Sequence, residues 1–312
     1  MSLKYTATLI SGGDQIALLG LSETNLVVGK TFKRPGSGQL QSATERAFAW
    51  SDGTLTNIDV GPSFNSTAHS VGENNVIVGT GTPSSRFGVF GWVEENGVVS
   101  RLDGLGGTNT MPVATNGRVH CGQANLPNRV SRAVKWENGA CVDLGTLGGP
   151  GAMATAINKK ANVVGSSRET SSNMNMVAFI FKDGKMTALP KLSPSRNWAY
   201  GINDNDDVVG TSDVSAVKWM NGADKPVVLV SGNSTSQAMD INNSGVVVGS
   251  TGGNPGFAFV HDGKSLYNLN DITEGLNGIS LVVARNINNQ GCITAYGFDN
   301  KYNMVGFILV PV

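Results

Sequence analysis

Long apolar runs are missing from this 312-residue chain, and none approaches the length a membrane-spanning helix needs. Charge is scarce at 15% and evenly split, 23 Lys plus Arg against 23 Asp plus Glu. No basic run occurs, so the electrostatic footprint of a nucleic-acid binder is lacking, as is a polybasic membrane anchor. Cysteine is down to three, without the Cys/His spacing of a zinc site. Cys121 and Cys141 fall on the second and fourth strands of one repeat, about 10 Å apart at the usual strand spacing and too far to bridge. With Cys292 in another repeat, the three read as small buried hydrophobes. No nucleophile elbow, paired-histidine metal motif, phosphate loop or dinucleotide fingerprint occurs, and no cofactor or metal is expected. The N-terminus lacks the charged-then-apolar pattern of a secretory signal.

What is abundant is glycine, 41 residues, set in a phrase of about 40 to 50 residues that recurs seven times. Its clearest copy runs Ala154-Thr155-Ala156-Ile157-Asn158, then Val163-Val164-Gly165-Ser166, then Ala178-Phe179-Ile180-Phe181, then Asp183-Gly184. The Val-Val-Gly element ends at Gly29, Gly79, Gly122, Gly165, Gly210 and Gly249, and at Ala295 in the last copy. Short polar turns such as Asn242-Asn243-Ser244-Gly245 join the first two apolar segments as a hairpin. Asn-Gly or Asp-Gly at Gly53, Gly97, Gly139, Gly184, Gly222 and Gly263 supplies a second tight turn after the third strand.

Each unit therefore reads as four short antiparallel strands. Units of this kind repeated radially make an all-β, seven-bladed β-propeller, one domain spanning residues 1–312. A linear solenoid is the competitor, but it needs polar caps at both ends. Only six of the second turns exist, because the chain stops after the seventh third strand. The missing strand is expected at the other end: Thr6 to Ile10 should lie outermost, beside Phe307 to Val310, and close the ring.

The phrase resembles the HAF family of extracellular repeat proteins. Those units read Ala-x-x-Ile-Asn-x-x-Gly-x-Val-Val-Gly, then His-Ala-Phe-x-Trp, then Leu-Gly-Thr-Leu-Gly-Gly, matched here by Ala154 to Ser166, Ala47 to Trp50 and Leu144 to Gly149. The family histidine is replaced by Arg46, Arg132, Val177, Ser215 and Phe257. The resemblance implies an exported, periplasmic or extracellular, protein of no assigned activity. It does not convert fold into function.

Within one chain, a slot of constant chemistry is structural and a slot of varied chemistry is free for function. Late in the first, innermost strand stands Leu19, His69, Val113, Thr155, Tyr200, Met239 or Arg285, followed by Gly20, Ser70, Ala114, Ala156, Gly201, Asp240 or Asn286. Ring closure would bring His69, Tyr200, Asp240, Arg285 and Asn286 toward one axis; the competing reading is packing between blades. Trp50, Trp92, Trp136 and Trp219 share one slot and read as core. Trp198 stands outside it, free to stack on a sugar ring. Arg34, Arg46, Arg86, Arg129, Arg132 and Arg168 lie in the variable stretches (30–46, 122–131 and 166–176 are the longest), which suits an anionic glycan or acidic partner. His120 and His261 show no metal-binding neighbours, and Asp204 to Asp207 is read as an ordinary turn rather than a calcium loop.

Three functions follow. The first is a non-enzymatic recognition or scaffold propeller, binding a glycan or glycan-bearing partner on its variable-loop face through Trp198, Tyr200, Asp240, Arg285 and Asn286. The second is a polysaccharide lyase, with Arg285 neutralising a uronate and His69 or Tyr200 moving the proton. The third is a purely structural repeat.

Overall fold

The computed structural model describes residues 3–12, 15–32, 44–61, 64–83, 87–172, 175–193, 196–232, 234–254, 256–300 and 302–312. They form seven sheets, six antiparallel ones of four strands and one of five. In blades 1 to 6 the strands of each sheet lie in chain order. The first strands are Gln15–Leu21, Phe64–Val71, Thr110–Thr115, Ala152–Ile157, Asn197–Ile202 and Gln237–Ile241, with Ser280–Ile287 in blade 7. These seven strands touch one another in a closed cycle, blade 7 returning to blade 1, and so surround the axis. The chain is a seven-bladed β-propeller.

Blade 7 takes its fourth strand from the N-terminus. Tyr5–Ile10 runs antiparallel to Met304–Pro311, with Thr6 opposite Val310 and Leu9 opposite Phe307. That strand is not outermost as expected. Thr273–Glu274 lies parallel to it and covers Tyr5 and Thr6, making the fifth strand. A four-residue helix, Leu269–Ile272, capped by Asn268, leads into this segment. No helix among the described residues is long and apolar enough to cross a membrane.

The core is divided into wedges between blades. Seven apolar clusters occupy the seven interblade seams. Trp50, Trp92, Trp136 and Trp219 fill four of them, and Phe179, Phe259 and Phe307 the other three. All four tryptophans are buried. Cys121 and Cys292 are buried as well, but Cys141 is only half-buried, because the outermost strand that carries it meets solvent. All three cysteines are free.

Every inner strand carries a β-bulge at the same place. The residue left out of the ladder is Leu19, His69, Val113, Thr155, Tyr200, Met239 or Arg285, the chemically varied slot. Beside that bulge the backbone of the inner strand passes close to the second strand, and this explains the glycine of Val-Val-Gly. A Cβ on Gly165 would stand 2.0 Å from the Met153 carbonyl oxygen, and one on Gly210 or Gly249 would stand 1.9 Å from that of Trp198 or Gln237. The copy with alanine, Ala295, is the one whose inner strand has a second irregularity, between Leu281 and Val283.

Candidate functional site

The turn that follows each inner strand opens with the residue after the apolar anchor, asparagine in five copies. In Asn242 the side-chain oxygen accepts the N–H groups of Ser244 and Val246 at 3.1 and 3.0 Å and so fixes its own turn. Its Nδ2 donates to the Asn288 carbonyl of the next blade at 3.2 Å. The same donation runs from Asn116 to Asn158 (2.9 Å), Asn158 to Asn203 (3.0 Å), Asn203 to Asn242 (3.1 Å) and Asn288 to Ser22 (3.0 Å). Five of the seven seams are thus tied by one repeated amide. The next slot adds a second tier. Asp204 accepts the Lys159 N–H, Asn243 that of Asp204, Asn289 that of Asn243, and Glu23 that of Asn289, at 2.8–3.0 Å.

These tiers form the wall of an axial cavity of about 450 Å³ at the turn end of the ring, to which all seven blades contribute. Its inner collar is apolar: Leu21, Val71, Ile157, Ile202, Ile241 and Ile287. Its charged residues are Glu23, Glu73, Asp204, Asp240 and Lys159. The Lys159 Nζ lies 2.9 Å from Glu73 Oε1. Asp240 reaches this cavity from the inner strand of blade 6. Its Oδ2 accepts the Ile287 N–H of blade 7 at 3.0 Å, and its Oδ1 the Ile241 N–H at 2.9 Å. Burial pushes the carboxyl up to about 6, against those two N–H bonds and the field of Arg285. Among the described residues it has no ion-pair partner within reach.

The cavity is at the opposite mouth from the variable loops, and of the residues read from sequence as a site it includes only Asp240. His69 holds Thr80 Oγ1 at 2.9 Å, and burial, with Lys30 and Arg285 near, lowers its imidazole to about 4. The Tyr200 hydroxyl accepts from Gln237 Nε2 at 3.2 Å, and Asn286 Oδ1 accepts from Thr294 Oγ1 at 3.1 Å. Arg285 is half-buried and makes no hydrogen bond or ion pair among the described residues, while its charge acts on both His69 and Asp240. Ring closure therefore gathers blades 2, 6 and 7 into one electrostatic neighbourhood. Trp198 is half-buried, unlike the other four tryptophans.

Other singled-out groups have structural partners. Asp206 is buried, accepting from Asn158 and Asn162 on Oδ1 and from Lys182 on Oδ2, all at 2.8 Å. His120 Nδ1 pairs with Thr115 Oγ1 at 2.7 Å. Arg132 is paired with Asp143 at 3.0 Å. Arg34 and Arg86 lie outside the described residues, as does most of the first variable stretch. Sequence reading treated Asn116, Asn158, Asn203, Asn242 and Asn288 as turn residues only. A hairpin turn accepts several residue types, so asparagine at one slot in five copies already signalled an additional, cross-blade duty.

No protein-family model matches the chain, and no curated protein does. Among solved structures, the β-propeller domain of the Trilobed protease from Pyrococcus furiosus aligns over 94% of this chain and 95% of its own, at 8% identity and a TM-score of 0.59. That domain is described as having an open velcro topology; here the N-terminal strand closes blade 7. TolB from Acinetobacter baumannii aligns over 92% of this chain, which spans 64% of TolB, at 8% identity and a TM-score of 0.52. At such identity the likeness shows the propeller fold alone.

Proposed function

We propose that this chain is a non-catalytic recognition propeller that takes a small polar ligand in the axial cavity. The observation that carries this reading is Asp240, a half-buried carboxylate kept at the cavity, where it is held by two backbone N–H groups and matched by no ion pair among the described residues. A concave site with convergent polar groups and a perturbed carboxylate is the physical signature of a binding site. Thr24 lies exposed at the rim, where its hydroxyl donates to Asn75 Oδ1 of blade 2 at 3.2 Å, so Thr24→Trp would plug the cavity at the loss of one exposed hydrogen bond. In a thermal-shift panel of glucose, glucuronate and butane-1,4-diamine, at least one compound should raise the Tm of the wild type and lose that effect in Thr24→Trp. A response that survives the plug would place the ligand elsewhere.

A second reading keeps a glycan on the variable-loop face, and the half-exposed indole of Trp198, with an Arg285 that makes no ion pair among the described residues, favours it. Binding to a glycan array that falls in Trp198→Ala and Arg285→Ala, but not in Thr24→Trp, would select that face. Lyase turnover would show as unsaturated-uronate absorbance that disappears in Tyr200→Phe. The motif resemblance supports placing the chain with the HAF repeats and, through them, outside the cytoplasm; fractionation of cells expressing the natural gene tests the location.

A further inference from the structure

We propose that the ligand of the axial cavity is an organic cation, an alkyl ammonium or guanidinium compound; this rests on the cavity being the binding site. The cavity's formal charge is carried by Glu23, Glu73, Asp204 and Asp240 against Lys159, and Lys159 is already engaged by Glu73. Six of its eight asparagine amides donate to protein acceptors as well, all but those of Asn74 and Asn75. The amide N–H groups of Asn116, Asn158, Asn203 and Asn242 go to neighbouring carbonyls. Asn243 Nδ2 goes to Asp204 Oδ2, and Asn289 Nδ2 to Glu23. What faces the cavity therefore carries a surplus of carboxylate over positive charge, complementary to a ligand that brings its own N–H groups and a positive charge.

Two features narrow the cation. Asp240 is a half-buried carboxylate at the cavity without a counter-charge in hydrogen-bond contact, and drawing a charge out of water is costly unless it is paired; an ammonium group supplies the missing partner. The carboxylates come from blades 1, 2, 5 and 6, and no group of three or more His, Cys, Asp or Glu among the described residues is placed to hold a metal ion. Dispersed carboxylates around 450 Å³ fit a cation of molecular size. Beneath them the collar of Leu21, Val71, Ile157, Ile202, Ile241 and Ile287 offers apolar surface to an alkyl stem.

The test is isothermal titration calorimetry on the full chain with butane-1,4-diamine and spermidine, and with glucose and glucuronate as neutral and anionic probes. Asp240→Asn and Asp204→Asn serve as variants; each amide keeps one acceptor oxygen, enough for the single backbone N–H at Asp204 and for one of the two at Asp240, and melting curves check their folding. The diamine should bind at low salt, at least tenfold more weakly in a folded Asp240→Asn or Asp204→Asn variant, and not in Thr24→Trp. Glucuronate should not bind. If glucose or glucuronate binds in a Thr24→Trp-sensitive manner and the amines do not, the cavity stands as a site and the cation class is overturned. If no probe binds, or amine binding is indifferent to all three substitutions, both the class and the cavity reading fall.

Discussion

Asn242 holds its own turn with one end of an amide and the next blade with the other. Replacing it by alanine strips two turn N–H groups and one buried carbonyl of their partners, which should cost about 1–3 kcal/mol in chemical denaturation. Asn242→Asp keeps the acceptor, so the turn should survive while the seam loses its donor and gains repulsion with the Asn288 carbonyl. The seam tryptophans offer a sharper comparison. Trp136 and Trp219 donate Nε1–H to the Asp103 and Pro190 carbonyls at 2.7 Å. The buried Trp92 Nε1 has no acceptor among the described residues. Trp136→Ala should cost about 3–5 kcal/mol, and Trp92→Phe should be tolerated better than Trp136→Phe, because only the latter abandons a hydrogen bond and leaves a carbonyl unpaired. Asp240 sets a pH signature. Its folded carboxyl titrates near 6, above its unfolded value of 3.8, so the native state holds the proton more tightly. Stability should therefore fall as pH rises from about 4 to about 6, by roughly 2–3 kcal/mol. Melting curves of Asp240→Asn should lack that slope, because an amide does not titrate.

At the scale of the element, the bulged inner strand is the unit from which everything near the axis follows. Gly165→Ala would place a methyl against the Met153 carbonyl, and the ladder between Ala152–Ile157 and Val163–Arg168 must open to admit it. A loss of about 1–3 kcal/mol in the same denaturation experiment is expected, as for overpacking elsewhere. The Val-Val-Gly spacing and the apolar anchors were legible as short paired strands because a strand's period shows in eight residues. The varied slot at Leu19, His69, Val113, Thr155, Tyr200, Met239 and Arg285 was legible as an exception. Its cause was not, since a bulge is a relation between two strands and leaves no mark on either sequence alone. Thr273–Glu274 escaped for a similar reason: two residues carry no periodicity, and only the open edge of the N-terminal strand gives them a place. The axial cavity escaped because its wall consists of residues that recur, and recurrence had been read as purely structural. Asn158 and Asn203 hold the wall; Glu23, Asp204 and Asp240 then give it charge.

At the scale of the whole molecule, the ring depends on one seam made from both ends of the chain. The N-terminal strand contributes Tyr5 to the cluster between blades 6 and 7 and Ile10 to that between blades 7 and 1. On the turn face the same junction of blades 7 and 1 is clamped a second time, by Asn288 on Ser22 and Asn25 and by Asn289 and Gln290 on Glu23. Deleting residues 1–10 removes the first closure and leaves the second. The exposed edge of Met304–Pro311 would then be a template for pairing with another chain. The truncated protein should melt well below the full chain and associate with rising concentration in size-exclusion chromatography. A rearranged chain separates the lost strand from the lost terminus. Val312 donates its N–H to the Lys4 carbonyl at 3.0 Å, so the two ends are adjacent, and a short Asn-Gly-containing loop from Val312 to residue 3 would turn the closure into an ordinary hairpin, with the chain beginning instead at Gln15. Such a permutant should recover the monomer and most of the melting temperature, because the strand, not its position in the chain, holds the ring. A monomeric truncation that melts like the parent would show instead that the five asparagine-laced seams suffice without it.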